Sequence, residues 1–113
     1  VDVTGVGDMP KVATKVPVDL GRGAAIKIMD RSLICTPSVV HMMEKLAQEK
    51  DIMVQREVLP YGGTDAGAMQ RTRGGVPSGA ISIPCRYIHS EAETVDKRDV
   101  QACVELLKAC LMA

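Results

Sequence analysis

The stretch Gly75-Val-Pro-Ser-Gly-Ala-Ile-Ser-Ile-Pro-Cys-Arg-Tyr-Ile-His-Ser90 decides the predicted fold. It begins with glycine and proline, which favour turns. The apolar run over residues 80–83 then predicts a short buried strand, and His89 follows that strand just before a polar loop. Because ligands of open α/β sheets bind beyond the carboxyl ends of the strands, we expect His89 to lie near such a crevice. A single histidine after a strand is more often a packed or surface residue, so a second feature is needed.

Strand and helix patterns alternate along the chain before this stretch. Short apolar or alternating segments at 1–4, 24–29 and 52–59 predict three further strands. Thr36 and Pro37 predict the start of an amphipathic helix, because threonine is a good N-cap and proline suits the first helical position. This alternation predicts an α/β fold with a largely parallel sheet.

Two more helices are predicted in the second half of the chain. A glycine-rich turn at 61–68 leads into a short helix that ends at Arg73, with Thr64 or Asp65 as its cap. Asp96 is the expected N-cap of the last helix. The apolar stripe predicted for that helix consists of Val100, Cys103, Val104, Leu107, Cys110 and Leu111.

Length and composition restrict the class of protein. At 113 residues and zero formal net charge, the chain is at most one domain. It has no Trp or Phe, two Tyr and no basic block, so nucleic-acid binding is not indicated. Its four cysteines form no CxxC pair and are expected to be buried, reduced thiols. No signal peptide or membrane-length apolar segment is visible, so we expect a cytoplasmic protein without membrane contact.

The first four residues, Val1-Asp-Val-Thr4, already have the pattern of a strand, with no initiator methionine before them. Because a natural domain seldom begins inside a sheet, we expect the chain to be a fragment or one chain of a split protein. Asp2 within this strand allows two interpretations. It is either a strand-end carboxylate that faces water, or a metal ligand that needs an imidazole nearby.

The segment from Gly62 to Gly67 also allows two interpretations. Glycines before a helix N-terminus can bind phosphate, but the spacing here matches neither the P-loop nor GxGxxG. The alternative is a tight strand-to-helix turn, which can still line a substrate crevice. From spacing alone the chain offers two candidate ligands, Asp2 and His89, whereas a catalytic zinc needs three protein ligands.

Several segments, in one order, resemble the tetrahedral (glutamyl/leucyl) aminopeptidase family, some members of which are named cellulases or endoglucanases. These segments are Val1-Asp-Val-Thr4, Gly23 to Ser32, Gly62-Gly-Thr-Asp-Ala-Gly-Ala68, Gly74-Gly-Val-Pro77, Ser82-Ile-Pro84, Arg86-Tyr-Ile-His-Ser90 and Val95 to Val100. Together they cover nearly the whole chain. The resemblance implies that residues 1–113 form the C-terminal part of a catalytic domain of zinc-exopeptidase type, with three layers and a largely parallel sheet.

The resemblance also implies a metal-dependent aminopeptidase that releases N-terminal residues from peptides. Such an enzyme uses two divalent metal ions, which are zinc, cobalt or manganese. The resemblance assigns Asp2 to one metal and His89 to the other. The turn residues implied to lie beside the substrate are Gly62, Gly63, Thr64 and Asp65.

The remaining parts of such a site are expected upstream of this chain. They are another histidine, a bridging aspartate and a pair of glutamates that includes the general base, together with an inserted dimerisation domain. The expected partners are therefore peptide substrates, the N-terminal part of the same enzyme, and further copies in a homo-oligomer, with a dodecamer as the expected size. By itself the chain should be inactive.

Two other functions compete with this one. The chain can be a non-catalytic α/β fragment that serves only in assembly. A glycan hydrolase is disfavoured, because glycosidases normally need a pair of carboxylates flanking the bond, and aromatic platforms for sugar are absent.

Overall fold

The computed structural model describes all residues, 1–113, and has a mixed α/β fold. Its elements are β1 (Asp2–Gly5), β2 (Ala24–Met29), α1 (Pro37–Glu49), β3 (Val54–Val58), α2 (Asp65–Gln70), β4 (Ile81–Cys85) and α3 (Lys97–Met112). Every predicted strand and helix is present, which confirms the predicted α/β class. None of the helices combines the length and the apolar character that crossing a membrane requires.

The four strands form one sheet in the order β1-β4-β2-β3. β1 pairs in parallel with β4, and β2 in parallel with β3, while the central pair of β4 and β2 is antiparallel. The sheet is therefore mostly parallel, as predicted. However, the carboxyl ends of β1 and β4 lie at one end of the strands, and the carboxyl ends of β2 and β3 lie at the other end.

Helices α1 and α3 cover one face of the sheet. Their buried side chains pack with Ile26 of β2 and Ile81 of β4 in the main core. Because side chains alternate along a strand, Ala25 points to the other face, where it packs with Val6 and Val18 from the segment after β1. This second face carries the polar side chains of the site described below.

The predicted N-cap positions of α3 and α1 are both confirmed, but only the side chain of Asp96 makes a capping hydrogen bond. Asp96 accepts a hydrogen bond from the backbone N–H of Arg98 at 2.8 Å. Thr36 occupies the N-cap position of α1, with Pro37 in the first turn, but its hydroxyl does not cap the helix. It accepts a hydrogen bond from the backbone N–H of Ser78 at 2.9 Å instead. Thr36 thus ties the start of α1 to the segment before β4.

The predicted apolar stripe of α3 is only partly correct. Three of its larger residues are exposed, namely Val104, Leu107 and Leu111. The buried face consists of Asp99, Ala102, Cys103, Leu106 and Ala109. Asp99 accounts for this orientation, because its carboxylate accepts hydrogen bonds from the backbone N–H groups of Gly21 at 2.8 Å and Gly23 at 2.7 Å. A buried carboxylate needs such hydrogen-bond donors. With Asp99 held by these donors, the face of α3 that carries Ala102 and Ala109 points toward the sheet.

The cysteines are free thiols, as predicted. Cys35, Cys85 and Cys103 are buried, and Cys110 is partly buried. Burial raises the pKa of Cys103 to about 11. A thiol with such a pKa is protonated at neutral pH and is therefore a poor nucleophile.

Candidate active site

One cavity brings the two predicted metal ligands together. It has a volume of about 300 Å³, and both Asp2 and His89 line it. Three of the predicted substrate-binding residues line it as well, namely Gly62, Gly63 and Thr64. Asp65 is exposed at the start of α2 and is not in the lining. We refer to this space as the Asp2–His89 cavity.

The position of the cavity differs from the expected crevice at the carboxyl ends of the strands. Thr4 and Lys27, which line the cavity, belong to the sheet face opposite α1 and α3. The antiparallel pairing of β4 with β2 prevents the carboxyl ends of all four strands from meeting. The cavity therefore lies over one face of the sheet.

Asp2 is the first residue of β1 and is exposed. Its Oδ1 accepts a hydrogen bond from the backbone N–H of Val3 at 2.8 Å. β1 runs parallel to β4, with Asp2 beside Ser82, and β4 ends at Cys85. His89 follows that end by four residues, and both Asp2 and His89 line the cavity.

His89 lies in a strained loop. Its φ is 62° and that of Tyr87 is 56°. Both values lie in the left-handed region, which residues other than glycine rarely adopt. Arg86 and Thr94 close the loop with two backbone hydrogen bonds of 2.9 and 3.0 Å. Glu93 accepts a hydrogen bond from the backbone N–H of His89 at 2.8 Å, so this acidic neighbour holds the backbone in place. Such strain persists only where the surroundings fix it, and it is frequent at active sites.

The glycine-rich turn packs closely against Ser32. A Cβ atom on Gly67 would lie 2.5 Å from Oγ of Ser32 and 2.9 Å from its carbonyl oxygen. The Ser32 hydroxyl also accepts a hydrogen bond from the backbone N–H of Thr64 at 3.3 Å. The glycines therefore permit a close approach of two backbone segments, which favours the tight-turn interpretation over a phosphate site. Thr64 occupies the N-cap position of α2, as predicted, but makes no capping hydrogen bond with its side chain.

A buried charge network lies beneath the cavity. Lys27 donates a hydrogen bond to Oδ2 of Asp30 at 2.9 Å and pairs with Oε1 of Glu57 at 3.1 Å. The side chains of these three residues are almost completely buried. Thr4 of β1 donates a hydrogen bond to the same oxygen of Glu57 at 2.6 Å. We call this group, with Ser32, the Lys27 network; it joins β1, β2 and β3.

Asp30 links the Lys27 network to the glycine-rich turn. Its Oδ1 accepts a hydrogen bond from the Ser32 hydroxyl at 2.7 Å, and its Oδ2 accepts one from the Thr64 hydroxyl at 3.3 Å. Burial opposes the ionisation of Asp30, but hydrogen bonds from Ser32 and Lys27 outweigh it and lower the pKa of Asp30. Burial also opposes the charge of Lys27, but Asp30 and Glu57 raise the pKa of Lys27 above its ordinary value. Lys27 and Asp30 are therefore both charged near neutral pH.

One part of this network has a signal in the sequence. Lys27 interrupts the apolar run of a buried strand, and a buried ammonium needs a carboxylate partner. Asp30 is available three residues later. The second partner, Glu57, depends on its pairing with Lys27 across β2 and β3, which the sequence does not reveal.

The donors in the cavity fit a divalent metal only in part. A carboxylate oxygen and an imidazole nitrogen are suitable ligands for zinc, cobalt or manganese. Asp2 and His89 are both exposed, so neither side chain is buried against other residues. However, the chain has no group of three or more His, Cys, Asp or Glu side chains that could hold an ion. Asp2 and His89 alone are therefore too few to form a metal site.

Comparison with known proteins supports the resemblance seen in the sequence. The model of the M42 glutamyl aminopeptidase family matches residues 1–106. A protein of Acetivibrio thermocellus, provisionally named an aminopeptidase, is 48% identical over 107 residues, which are 95% of this chain and 32% of the relative. The chain thus spans about a third of the length of this curated relative.

Solved structures share the fold. An aminopeptidase from the archaeon Desulfurococcus kamchatkensis superposes with a TM-score of 0.88 at 40% identity, covering 96% of this chain and 31% of that protein. The TET1 peptidase of Pyrococcus horikoshii, which can assemble into a tetrahedron or a large octahedral shell, gives a TM-score of 0.76 at 34% identity. That match covers 83% of this chain and 27% of the peptidase.

Proposed function

Since the chain belongs to the M42 glutamyl aminopeptidase family, we propose that residues 1–113 are the C-terminal part of the catalytic domain of a metal-dependent aminopeptidase. In this proposal the enzyme releases N-terminal residues from peptides with two divalent metal ions, zinc, cobalt or manganese. Asp2 binds one ion and His89 binds the other. The observation that carries the proposal is the single cavity that both residues line.

The loop of His89 has a costly backbone conformation. Tyr87 and His89 are both left-handed, a conformation that costs about 1–3 kcal/mol at each residue. Lys11, Asp51 and Arg73, which lie outside the Asp2–His89 cavity, share this conformation. At the proposed ligand, the hydrogen bond from the backbone N–H of His89 to Glu93 holds the loop backbone that carries the imidazole.

The residues of this chain have distinct roles in the proposed reaction. When bound, the two metal ions supply Lewis-acid polarisation of the scissile carbonyl and a more acidic water. Asp2 would hold one ion from β1, and His89 would hold the other from the loop that follows β4. The Lys27 network fixes β1 through Thr4 and holds the glycine-rich turn through Thr64. Gly62 and Gly63 present backbone rather than side chains beside the substrate, which leaves room for the peptide.

The remaining ligands and the general base belong, in this proposal, to an N-terminal part of the same enzyme. Two protein ligands are too few to hold two ions, and the related proteins are about three times as long as this chain. We propose that this part, which includes the inserted dimerisation domain, completes the three-layer architecture. We also propose a homo-oligomer, which the tetrahedral and octahedral shells of the TET1 peptidase support, with a dodecamer as the expected size.

The proposal is tested by comparing the chain alone with the complete enzyme, by which we mean this chain together with its N-terminal part. We expect the complete enzyme to hydrolyse aminoacyl-p-nitroanilides. The chain alone should be at least about 1,000-fold less active, because it lacks the general base and most metal ligands. Hydrolysis rates at equal molar concentration, with and without added Zn²⁺, Co²⁺ or Mn²⁺, measure the difference.

Two outcomes would contradict the proposal. Enzyme-like hydrolysis by the chain alone would show that the assignment of the missing base is wrong. A complete enzyme that contains no metal and cleaves no aminoacyl-nitroanilide would favour the non-catalytic fragment instead. Removal of metal by a chelator, followed by recovery of activity on metal addition, serves as the internal control.

A further inference from the structure

Helix α3 carries a row of apolar residues that nothing in this chain covers. The exposed residues Val104, Leu107 and Leu111 recur at intervals of three and four, which places them on one side of the helix. Val104 is 54% exposed and Leu111 is 76% exposed. Single exposed apolar residues are ordinary, but an aligned row of them marks a surface that packs against another element. We call these three residues the outer row of α3.

The outer row faces away from α1. The opposite side of α3 is polar and carries the exposed residues Gln101, Glu105 and Lys108. This polar side lies beside the segment that joins α1 to β3, because Ile52 of that segment lines one surface groove with Lys108 and another with Gln101. The outer row therefore points beyond α3, toward the half of the sheet that holds β1.

The sheet on that side has no helix over it. α1 packs on β2, and α3 packs on β4 and β2, but no helix packs extensively on β1. β1 is also an edge strand, since β4 is its only neighbour. Val3 of β1 lies opposite Ile83 of β4, which packs against the core under the helices, so Val3 points to the same face. Val3 and the outer row thus form the floor and one wall of a groove, which we call the β1–α3 groove.

The start of β1 lies next to α3. Asp2 pairs with Ser82 of β4, and the carbonyl oxygen of Ser82 accepts a hydrogen bond from the Cys103 thiol at 3.4 Å. Cys103 immediately precedes Val104 of the outer row. In the proposed enzyme the N-terminal part precedes Val1, so its last residues reach the domain beside the groove. The related proteins are about three times as long as this chain, which provides ample polypeptide to fill the groove.

From these contacts we infer that an amphipathic helix of the N-terminal part occupies the β1–α3 groove. Its apolar side packs on the outer row and on Val3, and its polar side faces solvent. A helix fits because α1 and α3 already form a helical layer on this face, and a third helix beside α3 extends that layer over β1. A segment of the same subunit also has a high effective concentration at the groove, which favours it over a second copy. This inference rests on the proposed function, because that proposal supplies the N-terminal part.

The test is maleimide labelling of cysteine variants in the complete enzyme, with the reaction at each site followed by peptide mass spectrometry. Leu107→Cys and Val104→Cys place a thiol in the outer row, and Lys108→Cys places one on the polar side of the same helix. We expect both outer-row thiols to react at least about 100-fold more slowly than the control, because a thiol under a packed helix reacts only after local unfolding. Equal rates in the three variants would overturn the inference.

Labelling before and after dissociation of the oligomer identifies what covers the outer row. A helix of the same subunit should protect Leu107→Cys equally in the full assembly and in the smallest species separated by gel filtration. Protection that disappears on dissociation would assign the outer row to a second copy and overturn the inference. An enzyme that hydrolyses aminoacyl-p-nitroanilides while its outer row labels freely would overturn the inference and leave the proposed function intact. An enzyme that protects the outer row but hydrolyses none would support the inference and contradict the proposed catalysis.

Discussion

Replacing His89 by alanine in the complete enzyme is expected to lower kcat/KM for an aminoacyl-p-nitroanilide about 1,000-fold. His89 lies in the Asp2–His89 cavity and is the proposed protein ligand of one metal from this chain. A metal ion supplies several kcal/mol of transition-state stabilisation, and each 1.4 kcal/mol corresponds to about a factor of ten in rate. Steady-state kinetics over a range of metal concentrations measures the loss. It also shows whether excess metal restores activity, as weakened binding predicts.

The second histidine provides a matched control. His41 is exposed on α1 and lies outside the Asp2–His89 cavity. His41→Ala removes the same side chain and should change kcat/KM less than twofold, because surface substitutions seldom alter a site from a distance. Similar losses in His89→Ala and His41→Ala would point to a general effect on folding. A loss of less than tenfold in His89→Ala would contradict the assigned role.

Replacing Lys27 by methionine is expected to lower the free energy of unfolding by about 3–5 kcal/mol, because it leaves the buried carboxylates of Asp30 and Glu57 without their cation. This loss is a large fraction of the usual stability of a domain. Urea unfolding of the wild-type and variant chains, followed by circular dichroism, measures it. Lys45→Met is the control. Its pair with Glu49 spans 3.8 Å and is exposed, so the expected change is under about 1 kcal/mol.

The pH dependence separates this network from a surface ion pair. The raised pKa of Lys27 means that its contribution is present below the unfolded pKa and is lost only as pH rises through the higher folded value. The lowered pKa of Asp30 means that its contribution is present above the unfolded pKa and is lost only as pH falls through the lower folded value. In the wild type these contributions are therefore complete between about pH 5 and 8. In Lys27→Met the two carboxylates left without a cation are protonated more easily, so the destabilisation should be largest near pH 8 and smaller near pH 5. Equal stability of the wild type and the variant at pH 8 would show that the pairs are not formed.

Local patterns predicted most of the fold. The start of α1 follows from Thr36-Pro37, and the cap of α3 follows from Asp96, because both signals act within one turn of the helix. The buried face of α3 was predicted less well, since the hydrogen bonds of Asp99 to Gly21 and Gly23 span more than 70 residues of sequence. The spacing of apolar residues along a helix gives no information about such long-range partners.

In the candidate site, too, local sequence features are predictable and long-range pairings are not. The resemblance to family segments proposes Asp2 and His89 as metal ligands, and the structure shows that both residues line one cavity. The Lys27 network could not be identified completely, because Glu57 meets Lys27 only through the register of β2 and β3. The antiparallel pairing of β4 with β2 was also beyond the sequence pattern, and it determines that the cavity lies over a sheet face.

In the proposed enzyme, β1 and the loop after β4 each deliver one ligand to a two-metal site. The most direct test is the metal content of the complete enzyme, measured by inductively coupled plasma mass spectrometry after gel filtration, for wild type, Asp2→Ala and His89→Ala. The proposal predicts about two ions per subunit in the wild type and about one in each variant. Two tightly bound ions in both variants would contradict it.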